Sequence, residues 1–354
     1  MNKEIDIEQA IHLNHILWVD VRSPEEFNGA TIPGAVNLPI FSDEERKQVG
    51  TAYKQVGPDA ARWMAMELVS PKIPYFMKRL KEWLDEGKQP VVFCWRGGMR
   101  SKSMVTFADL AGLPVYRLTG GYRRYRQVIL DKLTAELLPP HVIVLHGMTG
   151  VGKTKILHKL EQRGNPVIDL EGLANHRGSA FGSIGLGKPN NQKTFDALLF
   201  EKLSRIKDSL YVIIEAESKR IGHIHLPDFI MDAKRTGIHL MLEAPIAKRV
   251  KRIIEQYMGN EAGGEHFKER VTESFRVIQK RLPAEVQKEA KGAIEQMNYH
   301  KLVEILLIYY YDPRYDYCTQ QYGGAFIHID VTEMDEGVKK IEQIIEERIP
   351  IPVS

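Results

Sequence analysis

Short apolar runs alternate with segments of helical spacing along the first third of the chain. The runs at 16–21, 36–38, 91–93 and 115–118 predict buried strands, and 75–87 has the spacing of an amphipathic helix. Strands that alternate with helices indicate an α/β domain built on a parallel sheet. Pro139-Pro140 interrupts the pattern, because proline continues neither a helix nor a strand ladder. We therefore predict a first domain over residues 1–138 and a second over residues 139–354.

The second domain repeats this alternation with a longer sheet. Its predicted strands are 142–145, 166–170, 210–215, 237–242 and 325–329, each separated from the next by helical material. This order predicts a doubly wound parallel sheet. The segment 247–308 reads as helical additions to that sheet, and 338–345 as a closing amphipathic helix.

Cys94 stands where the strand at 91–93 ends, in the sequence Cys-Trp-Arg-Gly-Gly-Met-Arg-Ser. A helix is predicted from Ser101, so the thiol lies on a tight turn, the cysteine loop (residues 94–98), before a helix N-terminus. Backbone N–H groups and the helix dipole favour an anion there. Arg96 and Arg100 add positive charge, and together these features favour the nucleophilic thiolate. We predict a catalytic cysteine, with Arg96 and Arg100 holding an oxyanion beside it; the alternative is a small buried side chain at a strand end.

A second glycine loop follows the first strand of the second domain. Residues 147–154 read Gly-Met-Thr-Gly-Val-Gly-Lys-Thr, which is G-x-x-x-x-G-K-T between a strand and a helical segment. Glycines let backbone N–H groups surround a phosphate, Lys153 supplies positive charge, and Thr154 can reach a magnesium ion. We predict phosphate binding by this P-loop, through Gly147, Gly150, Gly152, Lys153 and Thr154.

Polar segments follow the strands at 166–170 and 210–215. The carboxyl ends of strands in an open α/β sheet meet at the edge where ligands bind. We predict that these segments supply ligand-binding side chains, namely Glu171, His176, Arg177, Ser179, Glu215, Glu217, Lys219 and Arg220. Glu215 stands where an ATPase usually has an aspartate, and Glu215 or Glu217 could hold magnesium through water. No histidine spacing indicates a resident metal, and the alternative for the first segment is a surface loop with a chance His-Arg pair.

Basic residues cluster in two tracts although the net charge is only +3. Residues 96–132 hold 8 Lys/Arg against 2 Asp/Glu, and residues 219–252 hold 8 against 3. Such tracts are candidates for a phosphate-binding face; solvated helix faces are the alternative. Within the first tract, one aromatic and three cations are candidates for RNA binding, namely Tyr122, Arg123, Arg124 and Arg126. The start of an amphipathic connecting helix is the interpretation we favour there.

The cysteines and the apolar runs indicate the compartment. Cys94 and Cys318 are the two cysteines of a 354-residue chain, too few for a disulfide framework, and Cys318 is predicted to be inert because no basic loop surrounds it. There is no run of about twenty apolar residues and no apolar core of a signal peptide. We expect a cytoplasmic protein without a membrane span.

Segments 20–27, 32–39, the cysteine loop and 118–121 together resemble a rhodanese domain. In that family the loop cysteine carries sulfur or a related chalcogen. The resemblance places Cys94 at that position and Arg100 at the arginine that closes the loop. It implies that Asp20 and Arg22 form a buried structural pair.

The ordered set of motifs resembles the tRNA 2-selenouridine synthase family over nearly the whole chain. Besides the cysteine loop and the P-loop, the set comprises Glu171, 175–182, 215–219 and 311–313. The resemblance implies an α/β protein: a rhodanese-like domain followed by a P-loop NTPase-like doubly wound parallel sheet with helical additions.

The same resemblance implies an activity. It is replacement of sulfur by selenium from selenophosphate in wobble 2-thiouridine of tRNA, with an S-geranyl intermediate made from geranyl diphosphate. It implies no tightly bound cofactor, with Mg²⁺ a candidate ion, and as partners the anticodon arm of tRNA and a selenophosphate-producing enzyme. Two alternatives stay open: an ATP-dependent sulfur-transfer enzyme or kinase with a rhodanese sulfur-donor domain, and a sulfide-sensing or RNA-binding regulator with inactive sites.

Overall fold

The computed structural model describes residues 3–177, 179, 181, 187–258, 265–314 and 325–349. Cys318, predicted to be inert, lies outside them. The chain forms two compact units, residues 1–133 with 196–198 and residues 134–195 with 199–354. The chain thus passes from the first unit to the second between Leu133 and Thr134, five residues before the boundary proposed from Pro139-Pro140.

The first unit is built on a five-stranded parallel sheet in the order β1-β5-β4-β2-β3. Its strands are β1 Lys3–Ile5, β2 Ile16–Asp20, β3 Val36–Asn37, β4 Gln89–Phe93 and β5 Tyr116–Leu118. Its helices are α1 Ile7–Ala10, α2 Pro24–Gly29, α3 Asp43–Gln55, α4 Pro58–Val69, α5 Ile73–Asp85, α6 Met99–Leu110 and α7 Gly121–Lys132. Four strands were predicted, and β1 was missed because a three-residue edge strand carries too little periodic signal.

The second unit contains a five-stranded parallel sheet in the order β12-β11-β6-β8-β7 and a two-stranded antiparallel pair. The strands are β6 His141–His146, β7 Val167–Ile168, β8 Tyr211–Glu215, β9 Arg220–Ile221, β10 Ile224–His225, β11 Ile238–Glu243 and β12 Ile327–Asp330. All five predicted strands are present. Because β6 is flanked by β8 and β11, the crevice beyond its carboxyl end is a topological switch point, where open α/β sheets bind ligands.

Helices surround this sheet and add a lobe of their own. They are α8 Lys153–Gln162, α9 Leu170–Ala174, α10 Gln192–Ile206, α11 Asp228–Thr236, α12 Ile246–Met258, α13 Glu265–Ile278, α14 Ala284–Glu295, α15 Tyr299–Leu306 and a closing helix Met334–Arg348. A π-helix, Leu307–Tyr311, continues α15. The lobe of α13–α15 has a separate apolar core that includes Phe275, Leu302 and Leu306. None of the helices in the described part of the chain combines the length and apolar character that a membrane crossing needs.

Candidate functional site

The cysteine loop connects the buried strand β4 to α6. Cys94 is 3% exposed, and its Sγ lies 3.2 Å from Ser101 Oγ in the first turn of α6. The carbonyl oxygen of Gly98, the residue before the helix, lies 3.9 Å from the sulfur. The thiol therefore sits at the N-terminus of a helix, as predicted, but beneath the surface of the loop.

Two glycines let a second backbone segment pass directly under this loop. Gly97 and Gly121 have φ of +65° and +59°, a region that strongly favours glycine. A Cβ on Gly121 would overlap the carbonyl oxygen of Cys94 and the amide nitrogen of Gly97. The amide nitrogens of Tyr122 and Arg123 donate hydrogen bonds of 2.9 Å to the carbonyl oxygens of Cys94 and Trp95. These bonds fix the backbone of the loop against the segment that follows β5.

The two loop arginines have different surroundings. Arg100 forms an ion pair with Glu26 of α2 and is 17% exposed. Burial alone would raise the pKa of the Glu26 carboxyl, but the hydrogen bonds and charge of Arg100 bring it below its usual value. Arg96 is exposed and has no carboxylate partner among the described residues. Arg100 thus connects the start of α6 to α2 through Glu26, whereas Arg96 is exposed.

Asp20 and Arg22 form the buried structural pair that the rhodanese resemblance implies. Both side chains are at most 2% exposed, and the Arg22 guanidinium contacts both Asp20 carboxylate oxygens. The guanidinium also stacks over the Tyr122 ring, 4.5 Å from its centroid. Tyr122 is 1% exposed, so its prediction as a base-stacking residue is wrong: the ring is part of the core. Of the other RNA candidates, Arg123 and Arg124 are exposed and Arg126 is partly buried.

The P-loop wraps the N-terminus of α8 at the carboxyl end of β6. Gly147, Gly150 and Gly152 have φ of +145°, +80° and +100°, which strongly favour glycine. Lys153 Nζ donates a 2.8 Å hydrogen bond to the carbonyl oxygen of Gly147. The loop therefore has the cradle geometry expected of a phosphate site.

Two buried arginines of α12 hold P-loop carbonyl groups. Arg249 Nε donates to Thr149 O at 2.9 Å, and Arg252 Nη1 donates to Val151 O at 2.7 Å. Arg249 also makes a bidentate ion pair with Asp312, just beyond the π-helix, at 2.6 and 3.0 Å. These residues belong to the basic tract 219–252 proposed to contact tRNA. That proposal is wrong for Arg249 and Arg252, which are 4% and 9% exposed and support the P-loop instead.

The P-loop opens into a cavity of about 710 Å³. One wall is polar and includes Lys153, Thr154, Glu171, Arg177 and Glu217. Much of the remaining wall is apolar and comes from α12, α13, α15, the π-helix and Phe181, with these lining residues: Phe181, Ile253, Ile254, Tyr257, Phe267, Val271, Tyr299, Leu302, Val303, Leu306, Leu307, Tyr310 and Tyr311. A phosphate cradle and an apolar chamber thus share one enclosure.

Three glutamates lie beside the P-loop at different depths. Glu171 and Glu217 line the cavity, while Glu215 is fully buried beneath them and accepts a 2.8 Å hydrogen bond from the Glu171 amide nitrogen. Burial, followed by the nearby Glu217 charge, raises the pKa of Glu171 to about 8. Burial also raises the pKa of Glu215, whose Oε2 has no hydrogen-bond partner in the part of the chain that the structure describes. Within those residues no group of three or more His, Cys, Asp or Glu side chains has a metal-binding arrangement.

Comparison with known proteins agrees with this two-unit architecture. A family model described as a rhodanese-like domain matches residues 5–128, and one described as the AAA domain of tRNA 2-selenouridine synthase matches residues 140–341. The tRNA 2-selenouridine synthase of Pseudomonas syringae pv. syringae is 33% identical over 87% of this chain and 90% of its own length. That of Hydrogenovibrio crunogenus is 34% identical over 92% of this chain and 97% of its own length.

The chain belongs to the tRNA 2-selenouridine synthase family. Among solved structures, the N-terminal domain of a putative ATP/GTP binding protein from Clostridium difficile 630 is 37% identical, covering 36% of this chain and 99% of its own, with a TM-score of 0.35. The two family models and the relatives confirm the predicted family and fold class.

Only some of the side chains predicted to bind a ligand in the second unit line the cavity. Glu171, Arg177, Ser179, Glu217 and Lys219 line it, whereas Glu215 supports it from below. Two predictions do not hold, because His176 packs against Gly222 and Arg220 Nε donates to Gly222 O at 2.8 Å, outside the cavity lining.

The apolar wall was missed in the sequence. The segment 247–308 was interpreted as helical additions, and the tyrosines at 309–311 as the end of a core helix. The one local signal was that aromatic run: Tyr310 and Tyr311 line the cavity. Tyr315 and Tyr317, part of the same aromatic stretch, lie outside the described residues.

Proposed function

We propose that this protein replaces the sulfur of wobble 2-thiouridine in tRNA with selenium from selenophosphate, through an S-geranyl intermediate made from geranyl diphosphate. The observation that carries the proposal is the shared enclosure of the P-loop and the apolar chamber. Geranyl diphosphate has the matching division, a highly charged head joined to a ten-carbon hydrocarbon tail. The head would occupy the cradle formed by the P-loop, and the tail would be buried against α12, α13, α15 and the π-helix.

Alkylation of the nucleoside would be the task of the second unit. The sulfur of 2-thiouridine attacks C1 of the geranyl group, the C1–O bond breaks, and diphosphate leaves with the bonding electrons. Lys153 and the P-loop N–H groups would stabilise the negative charge that builds up on the leaving group. S-alkylation also removes the N3 proton of the base, and Glu171, which lines the cavity together with Glu217, would receive it.

Selenium exchange would be the task of the first unit. Selenium from selenophosphate forms a bond to C2, water takes the phosphoryl group as phosphate, and the C2–S bond breaks to release protonated geranylthiol. Selenium has the same formal oxidation state in the donor and in the product, so no oxidant is required. We assign this step to Cys94, with the loop N–H groups and Arg96 holding the phosphate portion of the donor.

The main alternative is an ATP-dependent sulfur-transfer enzyme. Against it, the chamber beside the P-loop is lined by aliphatic and aromatic side chains, which suit a hydrocarbon better than an attacking water molecule. Glu215, at the position of the usual ATPase aspartate, is fully buried and bonded to the backbone of Glu171. Substrate-stimulated ATP hydrolysis by the purified protein would support the alternative, and selenation without ATP would exclude it.

A lysine pair on α8 tests the role of the P-loop. Lys153→Ala should lower geranylation of a 2-thiouridine tRNA at least a hundredfold, because the leaving diphosphate loses its direct cation. Lys159→Ala is the matched control: Lys159 lies farther along the same helix, pairs with Asp335 and does not line the cavity. Chromatography and mass spectrometry of nucleosides after reaction with geranyl diphosphate alone would measure the product. Equal geranylation by wild type and Lys153→Ala would contradict the proposal.

A further inference from the structure

Two arginines of the helical lobe converge on a single tyrosine. Arg281 follows α13, and its Nη1 donates a 3.3 Å hydrogen bond to the Tyr310 hydroxyl. Arg314 follows the π-helix, its guanidinium carbon lies 3.6 Å from the centroid of the Tyr310 ring, and its Nη1 donates to Tyr310 O at 2.7 Å. Tyr310 itself is 8% exposed. A buried ring thus anchors two exposed guanidinium groups, named here the Tyr310 arginine pair.

The charges of this pair are not balanced locally. Neither Arg281 nor Arg314 has an aspartate or glutamate within ion-pair distance in the described part of the chain, although more than twenty other ion pairs are formed there. By contrast, Arg249 of the same unit is neutralised by Asp312. Two adjacent like charges repel each other, so their convergence on one ring is better explained by a bound anion than by folding stability.

The pair also lines the cavity into which the P-loop opens. Tyr310 lies in the π-helix, a rare element that often marks functional sites. Anchoring on Tyr310 fixes part of each long side chain in advance, which lowers the entropy lost when a ligand is held. Guanidinium groups bind phosphate oxygens with paired hydrogen bonds, a geometry that lysine does not offer.

We propose that Arg281 and Arg314 bind a backbone phosphate of the RNA strand next to the nucleotide whose base enters the cavity. The inference rests on the proposed function, because the alkylated sulfur must reach the geranyl diphosphate. A base that enters an active-site pocket leaves its sugar and phosphate at the rim, and both arginines are exposed there. The P-loop already supplies a backbone cradle for a small diphosphate, which leaves this second phosphate site to the polymer.

The test is equilibrium binding of an anticodon stem-loop RNA that carries 2-thiouridine, titrated over a range of KCl concentrations. The double variant Arg281→Ala/Arg314→Ala should bind the RNA about tenfold or more weakly, with the salt slope of log K reduced by about 0.7 for each phosphate that the variant no longer binds. Arg314→Lys should keep the salt slope and lose part of the affinity, because lysine retains the positive charge but not the paired N–H donors of the guanidinium group. Arg276→Ala is the matched control: an exposed arginine of α13 that does not line the cavity.

A second titration separates this inference from the proposed function. The loss of RNA affinity in the double variant should be clearly larger than any loss of geranyl diphosphate affinity, and retained geranyl diphosphate binding also shows that the unit is folded. If the wild type does not bind geranyl diphosphate, the proposed function fails while the RNA titration still decides the role of the arginine pair. Unchanged RNA affinity and salt slope in the double variant would overturn the inference. So would unchanged RNA binding together with a raised KM for selenophosphate, which would assign the pair to the small donor.

Discussion

The cysteine loop and the P-loop share one local plan and differ in what surrounds them. Each follows a central strand of a parallel sheet, contains at least one glycine with positive φ and ends in the N-terminus of a helix. Beneath the cysteine loop, the backbone after β5 fills the space and leaves Cys94 3% exposed. Beside the P-loop, α12, α13, α15 and the π-helix contribute to the wall of a cavity of about 710 Å³.

That difference is the basis for the two chemistries proposed above. Backbone N–H groups at a helix N-terminus favour an anion in both loops. In the proposed function, the closely packed cysteine loop transfers a single chalcogen atom from a small donor, and the apolar chamber beside the P-loop holds a phosphorylated hydrocarbon. If the walls of each loop determine its ligand, substitutions in those walls should separate the two activities.

A charge placed in the apolar chamber should have the largest effect on one activity alone. Val303→Asp should weaken geranyl diphosphate binding on the order of a hundredfold, because the tail would bury an unpaired carboxylate. Inorganic diphosphate, which has no tail, should bind the variant nearly as well as it binds the wild type. Isothermal titration calorimetry of wild type and variant with each ligand measures both changes in affinity.

Ile308→Asp is the control for that substitution. Ile308 is 43% exposed, lies five residues farther along the same helical run and does not line the cavity. Equal loss of geranyl diphosphate affinity in Val303→Asp and Ile308→Asp would mean that the chamber does not hold the tail.

A smaller effect should come from the packing under the cysteine loop. Gly121→Ala should lower the free energy of unfolding of the first unit by about 2–4 kcal/mol, since it adds a steric overlap with Cys94 O to the strain of a positive φ. Gly87→Ala shares the positive φ but has open space around its Cβ, so about 1 kcal/mol is expected. Urea denaturation compares the two. Similar losses in both variants would show that the loop tolerates a side chain there.

The last expected effect is a pH-dependent change in stability at Glu215. Because burial raises its pKa in the folded state, the favourable neutral form is fully present below about 4.5 and stability is lost as the pH rises above that value. Glu215→Gln mimics the neutral form, so it should match wild type near pH 4.5 and exceed it in unfolding free energy near pH 8. The gain should grow by at most about 1.4 kcal/mol per pH unit. A variant that is less stable than wild type at pH 8 would indicate that the carboxylate is stabilised by a partner.

Sequence patterns predicted the sheets and both loops because those features depend on neighbours along the chain. Nine of the ten strands in the two large sheets were predicted. The P-loop was recognisable because its residue spacing occurs between a predicted strand and a predicted helix. The tertiary environment of charged and aromatic residues could not be predicted in this way. The sequence pattern predicted a basic surface at Arg249 and Arg252. Both side chains are buried instead, and backbone carbonyl oxygens accept their hydrogen bonds. Tyr122 was a candidate for base stacking, with the start of a connecting helix as the favoured interpretation, and its ring is in fact buried beside the Asp20–Arg22 ion pair.

The chamber was the least predictable feature. Its residues come from five separate elements, and each element alone has only the spacing of an amphipathic helix. The convergence of Arg281 and Arg314 on Tyr310 is likewise formed only when the helical lobe folds.

The central claim is that the cysteine loop carries out selenium exchange and the P-loop carries out geranylation. Its most direct test is nucleoside analysis of tRNA treated with the Cys94→Ser variant. This conservative change keeps the loop and removes the thiol. Supplied with 2-thiouridine tRNA, geranyl diphosphate and selenophosphate, the variant should accumulate S-geranyl-2-thiouridine at the wild-type rate and form at least a hundredfold less 2-selenouridine. Undiminished 2-selenouridine formation by Cys94→Ser would contradict the assignment of selenium exchange to the cysteine loop.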